Sequence, residues 1–128
     1  MSELLKKVDP KQAAAGMLVG RFVAGTALLL TPGLAARVWI GPKGTEEGAR
    51  VLARVVGVRD LLLAYAAMAA DAAGTRGRSL RVEAATDAGD ALAVVLGGRH
   101  VTPLRRVVLP LVAGGSAAFE WWLAGQID

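Results

Sequence analysis

Val51-Leu52-Ala53-Arg54-Val55-Val56-Gly57-Val58-Arg59-Asp60-Leu61-Leu62-Leu63-Ala64-Tyr65-Ala66-Ala67-Met68-Ala69-Ala70 decides how this chain is read. It is long enough to cross a bilayer as a helix, which takes about 20 predominantly apolar residues, yet an arginine–aspartate pair stands near its middle. Two other apolar runs are interrupted in the same way. Arg21 lies inside Ala13 to Leu30, and Asp87 and Asp90 lie inside Arg81 to Gly98. Charge at the centre of a bilayer-length helix is costly, so such side chains face a protein interior and find partners there.

The composition points the same way. The hydrophobic fraction is 54% and the mean hydropathy +0.45, high for a soluble chain, while aromatic residues make up only 5%. The apolar content is therefore Ala, Val and Leu. Small side chains suit helix packing in lipid, where van der Waals contact takes the place of hydrophobic driving force. A length of 128 residues fits one domain, 1–128.

A pI near 10.1 raises the question of nucleic acid. The basic residues (Lys6, Lys7, Lys11; Arg37, Lys43, Arg50; Arg76, Arg78, Arg81; Arg99, Arg105, Arg106) fall between the apolar runs, not along one helix face, and no aromatic residues interleave with them. That pattern argues against a nucleic-acid partner and for anionic lipid head groups. The absence of cysteine excludes disulfides and thiolate metal sites, and the single histidine, His100, excludes a multi-histidine site in one chain. No metal or cofactor is expected. Lys6, Lys7 and Lys11 ahead of an apolar run resemble a signal peptide, but Arg21 interrupts that run, which reads as a retained first transmembrane helix.

Helix starts are marked by Asp9-Pro10, Thr31-Pro32, Thr45 before Glu46 and Glu47, Ser79, and Thr102-Pro103. Stops are marked by Gly41, Gly74, Gly97-Gly98 and Gly125. The expected fold is all-α: a four-helix transmembrane bundle with long helices near 10–30, 46–71, 80–97 and 103–124. A short helix near 32–40, carrying Arg37 and Trp39, is expected at the membrane interface between the first two, with Trp121 and Trp122 as a second aromatic anchor. The third long run is the least apolar, so a soluble four-helix bundle is the competing fold. Basic residues divide equally between the two sides, leaving orientation in the cell membrane open.

On the second long helix, Asp60 follows Gly57 by one turn, and Arg59 lies about 100° round from Asp60. The two should serve different neighbours, with Gly57 letting one approach closely. On the third, Glu83, Asp87 and Asp90 form an acidic stripe at i, i+4 and i+7. Carboxylates so close repel in a low-dielectric medium unless arginine compensates. Arg21, Arg54 and Arg59 match Asp60, Asp87 and Asp90 in formal charge, and these six are expected to form one buried network. Such a network can simply fix helix register, or it can serve a proton relay or a polar substrate. In the chemical reading Asp87, Asp90 and Asp60 are candidate acid/base groups. Arg54, Arg59, Arg21 and Tyr65 are then candidate substrate contacts.

Gly16-x-x-x-Gly20-x-x-x-Ala24 forms a ridge of small residues. Intramolecular packing is the commoner use of such a ridge, and a homo-oligomer seam the alternative. Pro110 implies a kink. Gly41-Pro42-Lys43-Gly44-Thr45 lacks the order of a phosphate loop and reads as a turn. Glu120 is expected at the interface and His100 in solvent.

The stretch Arg54-Val55-Val56-Gly57-Val58-Arg59-Asp60-Leu61 resembles one found in a family of small, uncharacterised four-helix integral membrane proteins of bacteria, chiefly actinobacteria. Arg21 to Gly25 with Pro32, and the Asp87–Asp90 pair, are similar to that family as well. A weaker similarity is to DoxX-like four-helix membrane proteins. The resemblance implies a multi-pass helical membrane protein and brings no reaction. Three functions follow as expectations: a structural or interaction component of the membrane; a membrane-embedded enzyme acting on a lipid-soluble, polyketide- or terpenoid-like substrate; or a soluble bundle binding a hydrophobic small molecule.

Overall fold

The computed structural model describes residues 2–97 and 101–127; the expectation for His100 falls outside these. All regular structure among the described residues is helical. α1 spans Ser2–Leu5, α2 Pro10–Leu30, α3 Pro32–Ile40, α4 Glu47–Ala72, α5 Arg76–Gly97 and α6 Pro103–Ile127, with a 3-10 turn at Pro42–Thr45 between α3 and α4. Four of the helices are long, at 21, 26, 22 and 25 residues.

The boundaries follow local chemistry. Asp9 caps α2, its carboxylate accepting from the backbone N–H of Lys11 at 2.9 Å and of Gln12 at 3.4 Å, with Pro10 in the first turn. Gly41, at φ 99°, and Gly74, at φ 74°, take the left-handed backbone that ends α3 and turns the chain from α4 to α5. Other signals behave differently from the expectation. Thr31 does not cap α3 with its side chain; its hydroxyl donates back to the Ala27 carbonyl at 2.7 Å. Thr45 belongs to the 3-10 turn, and its hydroxyl donates to Pro42. α5 begins at Arg76, ahead of Ser79, whose hydroxyl is instead tied to Arg76. α6 continues through Pro110 and past Gly125.

α5 pairs most extensively with α6, and α2 with α4; α4 then meets α5, and α2 meets α6, closing the four long helices on one another. The buried face of α4 is Ala53, Gly57, Asp60, Ala64 and Ala67, and that of α6 includes Leu109, Ala113, Ala117, Glu120 and Ala124. Steps of three and four residues keep each set on one side of its helix. Apart from Leu109, the interior faces just given are made of small and ionisable side chains. Most of the large aliphatic residues point outward: Val19, Val23, Leu62, Leu92, Val95 and Leu111 are all more than half exposed. A small apolar cluster of Ala14, Leu80, Leu123 and Ala124 closes one end, where Phe119 and Trp122 stack with ring centres 5.6 Å apart.

α2 and α4 approach each other closely at Gly25 and Gly57, both buried. The ridge Gly16, Gly20 and Ala24, for which intramolecular packing was expected, is exposed instead. A Cβ added at Gly16 or Gly20 would meet nothing within 4 Å.

Candidate functional site

Arg21, halfway along α2, reaches carboxylates from all three other long helices. Its Nη1 donates to Asp60 of α4 at 3.4 Å. Its Nη2 donates to Asp87 of α5 at 3.1 and 3.2 Å and to Glu120 of α6 at 2.9 Å. Its Nε lies 3.5 Å from Glu83 of α5. A planar guanidinium with five N–H donors is the one side chain able to face so many acceptors at once.

Two further arginines extend the network in opposite directions. Arg59 forms a two-pronged pair with Asp90, Nη1 to Oδ1 at 2.8 Å and Nη2 to Oδ2 at 2.9 Å, and also donates to Asp60 at 3.1 Å. Asp60 therefore turns to α2 and Arg59 to α5, as their 100° separation requires. The arginine is long enough to touch its neighbour as well. Arg76, at the start of α5, pairs with Glu83 through Nη1 and donates from Nη2 to the Ala14 carbonyl at 3.3 Å. Ser116 of α6 donates to Asp87 at 2.8 Å. The chain of contacts runs from a fully buried end, where Glu83 is 1% and Glu120 0% exposed, to an open edge. There the side chains of Arg59 and Asp90 are 33% and 38% exposed.

Of the seven residues expected from sequence, five come together: Arg21, Arg59, Asp60, Asp87 and Asp90. Arg54 and Tyr65 do not. Arg54 is exposed, with its Nε donating to the Leu29 carbonyl at 3.4 Å, and Tyr65 is 72% exposed on the outer face. Arg54 stands about one and a half helical turns short of the Arg59–Asp60 level and on the flank of α4, so its side chain reaches the end of α2 instead. In its place stand Arg76, Glu83, Glu120 and Ser116. Glu120, expected at the interface, is among the most deeply buried side chains of the chain. Its position on the Ala113, Ala117, Ala124 stripe was the signal in the sequence that it faces inward. Arg76 was counted with a basic connection, but it shares a face with Leu80, Glu83 and Asp87.

These exchanges change the charge balance. The three-against-three match expected of Arg21, Arg54 and Arg59 with Asp60, Asp87 and Asp90 becomes three guanidinium groups against five carboxylates: Asp60, Glu83, Asp87, Asp90 and Glu120. Each carboxylate has an arginine partner. Even so, Glu120 Oε2 and Glu83 Oε2 are buried without a hydrogen bond, and so is Arg21 Nε, which makes only the longer ion pair. Among the described residues, no group of three or more acidic or histidine side chains is arranged to hold a metal ion. A cleft of about 460 Å³ lies elsewhere, between α1 and the end of α6, lined by residues including Leu5, Val8, Trp122 and Gln126.

No protein-family model matches the chain, and no curated protein or solved structure is detectably similar to it.

Proposed function

We propose that this chain is a small multi-pass integral protein of the cell membrane, a four-helix transmembrane bundle. Its arginine–carboxylate core holds the helices in register, and its role is that of a structural or interaction component. One observation carries this reading: polarity is inverted, with Arg76, Glu83 and Glu120 at 4% exposure or less while most large aliphatic side chains face out. In water such a surface would be a severe aggregation hazard; in lipid it is the expected one.

Supporting features agree. α2 and α6 are long and apolar enough to cross a bilayer, and only 11% and 22% of their apolar windows are buried, unlike the core helices of a soluble protein. α4 and α5 carry more charge, but the charges at their centres are largely those of the network, turned inward. Trp39 stands exposed at one end of the bundle and Trp121 at the other, the latter with Arg81 6.0 Å from its ring centre. Aromatic and basic residues at both ends fit two interfacial belts, with α3 lying in one of them. The resemblance of Arg54–Leu61 to small bacterial membrane proteins points the same way. Lipid is the partner that the outer face fits.

The test uses the absence of cysteine from the chain. Single-cysteine variants Lys7→Cys, Thr75→Cys and Lys43→Cys are treated with a membrane-impermeant maleimide in intact cells and in inverted vesicles. Positions 7 and 75 should label from one side and position 43 from the other. Release of the protein without detergent, or labelling of all three from one side, would overturn the multi-pass reading in favour of a soluble bundle.

A membrane-embedded enzyme is the second reading. Its one favourable observation is the partly open Arg59–Asp90 pair at the α4–α5 edge, where a polar group of a lipid-soluble substrate would meet both charges. The arginine partners of every carboxylate favour the structural role.

A further inference from the structure

We propose that Glu120 is a proton-binding group inside the helix core, held as the neutral acid by its crowding with Asp87 on a single guanidinium nitrogen. Arg76 offsets Glu83, and Arg59 offsets Asp90, each at close range. Arg21 is then left facing Asp60, Asp87 and Glu120. One positive charge cannot offset three negative ones in a medium of low dielectric constant.

Hydrogen bonding identifies where the excess falls. Asp60 accepts from both Arg21 and Arg59. Asp87 accepts from Arg21 and from the Ser116 hydroxyl. Glu120 accepts one bond, from Arg21 Nη2, and its second oxygen has no partner although the residue is 0% exposed. Asp87 and Glu120 converge on that same nitrogen, at 3.1 and 2.9 Å, so their oxygens are within about 6 Å of each other. Around Glu120 stand Arg21 from α2, Asp60 from α4, and Glu83 and Asp87 from α5, with Arg76 behind Glu83 and Ser116 one turn away on α6.

A bare, unpaired carboxylate oxygen in such a place is far higher in energy than a neutral carboxyl group. Two carboxylates crowded on one cation cannot both ionise at low cost, and the one with the bare oxygen, Glu120, takes the proton. In the step itself, hydronium gives its proton to a Glu120 oxygen and water leaves. The inference rests on the internal charge count and holds whether the outer face meets lipid or another apolar medium.

Infrared spectroscopy tests it, because a protonated carboxylic acid absorbs separately from a carboxylate. Purified protein in detergent micelles is compared with E120Q and D87N at about pH 7, where an isolated Asp or Glu is fully ionised. The expected result is a carboxylic-acid band in the wild type that is lost in E120Q. It should also be lost in D87N, because removing one negative charge removes the reason for the proton. E120Q, which copies the neutral group, should fold as well as the wild type. Absence of the band in folded wild-type protein overturns the proposal, as does a band that persists in E120Q. So does a stability that rises with sodium or potassium concentration while no acid band is seen, since an alkali cation would then be meeting the charge. Should E120Q fail to fold, the wild-type and D87N spectra still decide.

Discussion

Gly25 and Gly57 face each other across the α2–α4 contact so closely that neither can carry a side chain. A Cβ at Gly25 would stand 2.9 Å from the Gly57 carbonyl oxygen, and one at Gly57 would stand 2.8 Å from that of Gly25. The same contact brings Asp60, one turn beyond Gly57, beside Gly25, and Arg21 is one turn before Gly25 on α2. Backbone approach and ion pairing are thus one arrangement: the glycines set the distance that the Arg21–Asp60 bond needs.

Substituting alanine at these glycines separates close packing from helix propensity. Gly57→Ala must push the backbones apart and should cost about 1–3 kcal/mol. Gly16→Ala, on an exposed face with nothing near, should be neutral or stabilising by up to about 1 kcal/mol. Thermal unfolding in detergent measures both. Equal effects would mean that the Gly25–Gly57 approach is not a close one.

Arg21 should be the least replaceable charge of the chain. Arg21→Met strands carboxylates from three helices and should destabilise by about 3–5 kcal/mol. Arg54→Gln removes only an exposed bond to a carbonyl and should change stability by about 0.5 kcal/mol or less. The yield of monodisperse folded protein and its unfolding midpoint compare the two. A larger loss from Arg54 than from Arg21 would place the network elsewhere.

The Arg59–Asp90 pair is suited to a charge swap. Arg59→Asp alone sets like charges together beside Asp60, and Asp90→Arg alone sets two arginines together. The double variant restores an ion pair with reversed polarity, although Arg59 also loses its bond to Asp60. A double-mutant cycle should show a favourable coupling of about 0.5–3 kcal/mol. Additive losses would sink the pairing.

Tryptophan fluorescence checks the placement of the ends. In vesicles of lipids brominated at different acyl depths, Trp39 and Trp121, studied one at a time with the other tryptophans replaced by phenylalanine, should both be quenched best by shallow bromines. Quenching of either by the deepest bromine would exclude the two-belt arrangement.

Much of this was legible in the residues. Asp9-Pro10, Gly41 and Gly74 mark helix ends because capping and left-handed backbone are local matters, settled within a few residues. The inward placement of Asp60 and Asp87 was legible because charge within an apolar run has few other places to go, whereas Asp90 stands at the half-open edge. Arg54 and Glu120 were misplaced for a common reason. The sequence shows which residues share a face, but not which face of a helix its neighbours cover. Arg54 lies near the right stripe yet on an exposed flank, whereas Glu120, near a helix end, lies on the covered one.

By itself the sequence determined that this chain is helical and that small and charged residues recur on the same helix faces, since the 3.6-residue period dictates angles within one helix. Only the tertiary structure decided which charges meet. How far each helix is turned and slid against its neighbours depends on contacts between them, foremost the Gly25–Gly57 approach. The reach of a guanidinium then gathers whatever carboxylates that geometry presents. That is why one arginine, Arg21, came to join four helices, and why the network holds more acid than base.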